Sequence, residues 1–163
     1  MIIKNIYEML QDVCSKNKDS IFFVRQNETY ADLLKKVKQR AVLLAKRFKI
    51  KKGDTVAILS GNTPDFLRTY FAITSQGARA LMLDTGLQPS EHINMMKRTN
   101  CKLTLAQEHY FIEDAPCEMF NIENIDDTDE NEFVMADTER SDIAQLSFTS
   151  GSTGVPKVVP LTH

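Results

Sequence analysis

Cysteine is scarce in this sequence, and its spacing excludes two common uses. The three cysteines, Cys14, Cys101 and Cys117, are an odd number and lie far apart. A disulfide framework needs cysteines in pairs, and a structural zinc site needs them in short, closely spaced motifs. We therefore expect these side chains to be small buried apolar groups in a reducing compartment.

Long apolar runs are absent as well. No stretch approaches the roughly 18 consecutive apolar residues of a membrane-spanning helix. The N-terminal sequence MIIKNIYEML lacks the apolar core and the small-residue cleavage site of a signal peptide. These absences predict a soluble, cytoplasmic protein without an integral membrane segment.

The sequence also lacks a strong excess of charge of either sign, since its formal net charge is -2. The composition therefore indicates neither a nucleic-acid partner nor a membrane surface. The charges are unevenly distributed: residues 1–112 hold 18 Lys and Arg against 10 Asp and Glu, whereas residues 113–142 hold 12 acidic residues and one basic residue, Arg140. Such an acidic run is typical of a solvated connector, and we predict one at about residues 113–142.

A long amphipathic helix is predicted over residues 30–48, because apolar residues recur there at steps of three and four. Thr29 and Asp32 have the spacing of a capping box at its start. The opposite face carries six basic residues: Lys35, Lys36, Lys38, Arg40, Lys46 and Arg47. No aromatic residues interleave with them for base stacking, so a solvated face is favoured over a nucleic-acid site.

Beyond residue 50, short apolar runs alternate with helical patterns. Strands are predicted at residues 55–59, 80–83, 102–106, 118–122 and 143–148, and helices at residues 65–76 and 89–98. This alternation predicts a doubly wound α/β fold, with a mostly parallel sheet flanked by helices. The 163 residues suit a single domain.

The stretch TSGSTGVPK, residues 149–157, directly follows the last predicted strand. Ligands of open α/β sheets bind beyond the carboxyl ends of the strands. Glycines allow the backbone to approach an anion, hydroxyl groups donate to phosphate oxygens, and a lysine adds positive charge. The stretch is not a Walker A motif, because Pro156 stands where that motif needs glycine. The alternative is a flexible linker, although a Pro-Lys end and a preceding buried strand are unusual for one.

In this stretch the sequence closely resembles the adenylate-forming (AMP-binding) superfamily, which includes acyl-CoA synthetases, adenylation domains and luciferases. Residues 149–157 match its T-S-G-[ST]-T-G-x-P-K motif, and residues 161–163 match its L-[ST]-H. Weaker similarities precede them: TYADLL at residues 29–34, GDTVAI at 53–58 and NTPDF at 62–66. A further match, LQPSE at residues 87–91, extends the resemblance to nearly the whole chain.

The resemblance implies that ATP activates a carboxylic acid as an acyl-adenylate, which passes to a thiol such as CoA or phosphopantetheine. It implies an ATP-phosphate site at Thr149, Ser150, Gly151, Ser152, Thr153, Gly154 and Lys157. Thr149 would lie near Mg²⁺, and His163 would either reach the substrate pocket or have a structural role at the start of a helix. Most relatives have glycine where this chain has Val158, a change that removes no phosphate donor.

The resemblance also implies that residues 1–163 are an N-terminal subdomain fragment ending just after the loop, inactive alone, since relatives have several hundred residues. A fatty or other acyl-CoA synthetase is the first choice, and an amino-acid-adenylating domain of a carrier-protein ligase is the alternative. A standalone phosphate- or nucleotide-binding module remains open, as does an interaction protein using the basic helix face.

Overall fold

The computed structural model describes residues 3–124, 128–149 and 157–163. They form four helices: α1 (Ile6–Lys16), α2 (Tyr30–Lys46), α3 (Pro64–Ser75) and α4 (Pro89–Arg98). Their eight strands are β1 (Ile21–Phe23), β2 (Glu28–Thr29), β3 (Thr55–Leu59), β4 (Arg79–Met82), β5 (Cys101–Ala106), β6 (Glu118–Asn121), β7 (Ile143–Thr149) and β8 (Lys157–Thr162). Short 3₁₀ turns lie at Glu108–Tyr110 and Glu130–Glu132.

Six strands form the main sheet, in the order β6-β5-β3-β4-β7-β8. The first five of these are parallel, and β8 pairs antiparallel with β7. The chain runs from β3 through α3 to its neighbour β4, then through α4 back across β3 to β5. The predicted α/β fold with a mostly parallel, helix-flanked sheet is therefore confirmed.

The helices cover both faces of the sheet. One apolar cluster joins α1, α2 and α3 to one face and includes Leu33, Ile58 and Leu105. A second cluster places Met95 and Met96 of α4 on the other face. Strand β3 is buried along its whole length, which explains why its sequence is continuously apolar rather than alternating.

Two helices begin at side-chain caps, and the one at Thr29 was predicted. Thr29 and Asp32 form a reciprocal capping box at the start of α2, in which the Asp32 amide donates to Thr29 Oγ1 at 3.1 Å and the Thr29 amide donates to Asp32 Oδ2 at 2.9 Å. Helix α3 begins at Pro64, and the Thr63 hydroxyl accepts from the Phe66 amide. Both helices therefore start where the local sequence supplies acceptors for otherwise unsatisfied amides.

Two regions differ from the sequence-based expectation. Helix α1 and the short β1–β2 hairpin were not predicted. Strand β8 continues to Thr162, where a helix start had been expected. The strand forms because β7 offers it a complete antiparallel partner, with residue pairs running from Ile143↔Thr162 to Thr149↔Lys157. Such pairing is a tertiary contact, and it overrides a local signal.

The strand predicted inside the acidic segment is observed as β6. The rest of the segment is more than the solvated connector that its composition predicted, because it buries Ile122 and Thr138. Thr128 exchanges hydrogen bonds with Gln39 of α2, donating at 2.7 Å and accepting at 3.1 Å. The segment therefore packs against α2, although most of its charged side chains face solvent.

Two lysines on the basic face of α2 pair with this acidic segment. Lys35 lies 3.7 Å from Glu130, and Lys46 forms an ion pair with Glu132. Arg40 departs from the prediction of a solvated face, because its side chain is only 2% exposed. The opposite charges of the two regions meet within the fold, which disfavours the interpretation of this face as a free interaction surface.

Among the helices of the described residues, none is long and apolar enough to cross a membrane.

Gly77 provides a test of close packing between α3 and β4. Its φ is +64°, and a Cβ placed on it would lie 2.9 Å from Thr138 Cγ2 and 3.0 Å from Lys52 Cγ. We expect Gly77→Ala to lower the free energy of unfolding through backbone strain of about 1–2 kcal/mol and overpacking of about 1–3 kcal/mol. Urea denaturation monitored by circular dichroism measures this loss.

Gly53 is the matched control for Gly77. It also has a positive φ, +85°, but a Cβ on it would meet nothing within 4 Å. Gly53→Ala should therefore show only the backbone strain and be the milder change. Equal losses of stability for the two variants would show that the Thr138 side chain moves aside without a measurable change in the free energy of unfolding.

Candidate functional site

A cleft of about 290 Å³ lies where strands β4 and β7 end. These strands are parallel neighbours, so their carboxyl ends reach the same edge of the sheet. The cleft is lined by Met82, Asp84, Leu87, Glu91, Met95, Phe148 and Thr149. It therefore lies in the position where open α/β sheets bind ligands, with the start of the predicted phosphate loop in its wall.

Local hydrogen bonds fix the wall of the cleft formed between β4 and α4. Asp84 Oδ1 accepts from the Gly86 amide at 2.9 Å, and His92 Nε2 lies 2.8 Å from the Asp84 carbonyl oxygen, to which it donates. Glu91 Oε2 accepts from the Gln88 amide at 2.9 Å and so closes the start of α4. The two acidic side chains of the cleft are thus held by the backbone of the turn that they border.

The two ends of the predicted phosphate loop are brought together. Thr149 and Lys157 are the final residue pair of β7 and β8, and both are exposed. The hydroxyl residues and glycines between them, Ser150, Gly151, Ser152, Thr153 and Gly154, lie outside the described residues. Their role in binding phosphate remains a prediction. The chain that joins Thr149 to Lys157 starts and ends at the edge of the sheet that carries the cleft.

His163 lies away from this cleft. It follows β8 at the end opposite Lys157, six residues along the strand, which corresponds to roughly 20 Å at ~3.3 Å per residue. Its Nδ1 accepts from the Ile6 amide at 3.3 Å, and its own amide donates to the Asp142 carbonyl oxygen at 3.2 Å. Burial lowers its pKa, with Asp142 acting in the opposite direction. Within the described chain, His163 therefore links β8 to the start of α1.

The acidic cleft residues Asp84 and Glu91 were missed by the sequence analysis. Asp84 could have been found, because it directly follows a predicted buried strand, where functional side chains of α/β sheets collect. Among the described residues, no group of three His, Cys, Asp or Glu side chains could hold a metal ion.

The fold and the cleft define an α/β protein with a ligand-sized cleft at the carboxyl edge of its sheet. The family model described as AMP-binding enzyme matches residues 10–163. The chain therefore belongs to the AMP-binding enzyme family.

Curated relatives include ligases from a bacterium and a plant. The chain is 31% identical to a 2-succinylbenzoate–CoA ligase of Bacillus velezensis, over 88% of this chain and 30% of that protein. It is 30% identical to a 4-coumarate–CoA ligase of Vanilla planifolia, over 83% of this chain and 28% of that protein. The chain thus spans less than a third of the length of these relatives.

Solved structures share the fold. The N-terminal domain of FACL13 from Mycobacterium tuberculosis has a TM-score of 0.85 at 23% identity, over 99% of this chain and 45% of that chain. The O-succinylbenzoate coenzyme A synthetase of Bacillus subtilis, in complex with AMP, has a TM-score of 0.78 at 23% identity, over 94% of this chain and 41% of that chain.

Proposed function

We propose that residues 1–163 form the first part of the large N-terminal domain of an ATP-dependent, AMP-forming acid–CoA ligase. The complete protein would activate a carboxylic acid as its acyl-adenylate and transfer the acyl group to CoA. Membership of the AMP-binding enzyme family and the CoA ligases among its relatives support this proposal. Because the chain spans less than a third of those relatives, we expect turnover only from the longer protein.

One observation carries the assignment of the site. Thr149, the last residue of β7, pairs with Lys157, the first residue of β8. Thr149 also lines the cleft beyond β4. Both ends of the loop therefore lie at the carboxyl edge of the sheet. We propose that the hydroxyl and amide groups of this loop bind the β- and γ-phosphates of ATP, while Thr149 assists a phosphate-bound Mg²⁺.

The chemistry of Lys157 fits the charge that develops in the reaction. When the carboxylate attacks the α-phosphorus, negative charge builds on the departing pyrophosphate. Fixed donors and a cation beside that position stabilise the transition state more than the ground state. Lys157 is exposed at the start of β8, so its ammonium group is available to a polyphosphate without first being drawn from the core.

The names of the curated relatives suggest which acid to test first. The 2-succinylbenzoate and 4-coumarate ligases are named for aromatic acids. We therefore propose to test aromatic acids as substrates alongside the fatty acids expected from the resemblance. Activation of an amino acid instead would indicate a carrier-protein ligase. Phosphopantetheine would then replace CoA as the acceptor.

Acid-dependent ATP–pyrophosphate exchange tests the proposal. The protein encoded by the whole gene is assayed with panels of aromatic, fatty and amino acids, with Mg²⁺ present. We expect exchange to require one class of acid, and the 163-residue chain assayed in parallel to show none. If the folded protein binds ATP but shows no exchange with any acid, the ligase proposal would be wrong. A nucleotide-binding module would then be the better description.

A further inference from the structure

Two cysteines lie at the starts of neighbouring strands. Cys101 is the first residue of β5, and Cys117 directly precedes β6. The two strands are parallel neighbours, with pairing that begins at Leu103↔Glu118. Adjacent strands are ~4.8 Å apart, which is within the range of Cα separations that a disulfide spans. One residue before that pair, the register places Cys117 opposite Lys102, so Cys101 and Cys117 are diagonal neighbours on adjacent strands.

The side chains of the two cysteines converge. Both pack against the apolar cluster on the α4 face of the sheet. Both also lie against the hydroxyl of Thr104, whose Oγ1 is 3.3 Å from Cys117 Sγ and 3.9 Å from Cys101 Sγ. Cys117 Sγ is 3.9 Å from Met96 Sδ on α4. The two sulfur atoms therefore lie on either side of a single hydroxyl group.

The two thiols differ in acidity. The neighbouring Cys101 thiol lowers the pKa of Cys117 against the opposing effect of burial, and Thr104 contributes in the same direction as Cys101. Cys117 is therefore the more acidic of the two thiols, and the thiolate is the nucleophilic form. The pKa of Cys101 is raised by its interaction with Cys117 and by burial.

The dithiol can be reached from solvent. Both cysteines are partly exposed. Cys101 also lines a surface cleft of about 500 Å³, together with Lys97 and Lys102. Lys102 is paired with Asp54, which lines the same cleft, at 2.9 Å, so Lys97 is the cation that favours a small molecule carrying a carboxylate. Cys14, in contrast, is buried at 1% exposure, and burial raises its pKa to about 11.

We propose that Cys101 and Cys117 are a reversible oxidation site that reacts with small acidic disulfides such as glutathione disulfide. The Cys117 thiolate attacks one sulfur of that disulfide, forms a mixed disulfide and releases one glutathione thiolate. The Cys101 thiol then loses its proton and attacks Cys117 Sγ, which forms the Cys101–Cys117 bond and releases the second glutathione. The protein loses two electrons, and glutathione disulfide gains them as two thiols.

The site is separate from the phosphate loop, because Cys101 lies at the amino end of β5 and Thr149 at the carboxyl end of β7. Helix α4 lies between them: Met96 contacts Cys117, and Met95 lines the cleft beside Thr149. The inference rests on the geometry of the dithiol and stands whether or not the ligase proposal holds.

Mass spectrometry of the reduced full chain after exposure to glutathione disulfide tests the proposal. Remaining thiols are alkylated before digestion. We expect two of the three thiols to be lost, no glutathione to be retained, and a peptide in which Cys101 is linked to Cys117. A thiol reductant should restore all three thiols. Three unmodified thiols, a persistent glutathione adduct or a linkage between chains would each overturn the proposal.

Three serine variants distinguish the two roles. Cys101→Ser should accumulate a stable glutathione adduct on Cys117, since the resolving thiol is gone. Cys117→Ser should leave Cys101 unmodified. Cys14→Ser is the matched control and should form the internal disulfide at the rate of the unchanged protein. A Cys101→Ser protein that keeps native circular dichroism but gains no adduct would contradict the assignment of Cys117 as the attacking thiol.

Discussion

Replacing Lys157 with alanine in the protein encoded by the whole gene is expected to lower the rate of acid-dependent ATP–pyrophosphate exchange about 10²–10³-fold, the loss typical of removing one donor to a developing anion. The physical reason is that charge on the leaving pyrophosphate would lose its nearest mobile cation. Lys157 is exposed and ends a strand pair, so the free energy of unfolding should change by no more than about 0.5 kcal/mol.

Two further variants separate charge from structure at this position. Lys157→Arg keeps the positive charge and should retain more activity than Lys157→Ala, without full recovery, because a planar guanidinium differs in shape from an ammonium. Lys18→Ala removes another exposed lysine, just after α1, and should leave exchange unchanged. If Lys157→Ala exchanged pyrophosphate at the parent rate, the proposed role of Lys157 would be wrong.

Replacing Arg40 with methionine is expected to produce a large loss of stability. Arg40 donates to the carbonyl oxygens of Asp65 and Ile122 at 2.8 Å each, to Asp65 Oδ1 at 3.0 Å and to the hydroxyl of Thr69. Burial lowers its pKa to about 10, with Asp65 opposing the shift, so the side chain stays charged at neutral pH. Removing it leaves several buried acceptors without a donor.

We expect Arg40→Met to lower the free energy of unfolding by about 3 kcal/mol, the lower end of the range for breaking a buried ion pair. The lower end applies because Asp65 keeps a second partner, Arg68, at 2.9 Å. Urea denaturation measures this loss, and a variant that does not fold has lost more than about 3 kcal/mol.

Lys35 supplies the control for Arg40 on the same helix. Its ion pair with Glu130 is 3.7 Å long and its side chain is 55% exposed, so Lys35→Met should cost at most about 1 kcal/mol. Combining Arg40→Met with Asp65→Asn should recover part of the loss, because the carboxylate that lost its partner Arg40 is replaced by a neutral amide. Equal stability of the Arg40 and Lys35 variants would show that the buried network adds nothing beyond a surface pair.

Much of the sheet could be predicted from the sequence, because its signals are local. Strand β3 is buried on both faces and reads as an uninterrupted apolar run, and its predicted bounds, residues 55–59, are those observed. The helix that follows Thr29 begins at its predicted capping box. The TSGSTGVPK stretch identified the candidate site because its residue types at that spacing suit phosphate. Each signal lies within a few residues of the element that it predicts.

The remaining features depend on residues far apart in sequence. Arg40 lies on the same basic face of its helix as the exposed lysines. It is buried only because Ile122 and α3 pack against it. Cys101 and Cys117 meet because β5 and β6 are parallel neighbours. By itself the sequence thus determined the fold class and the loop that marks the family. Tertiary structure decided which charges are buried, which thiols meet and where the loop ends are held, because these depend on packing between distant elements.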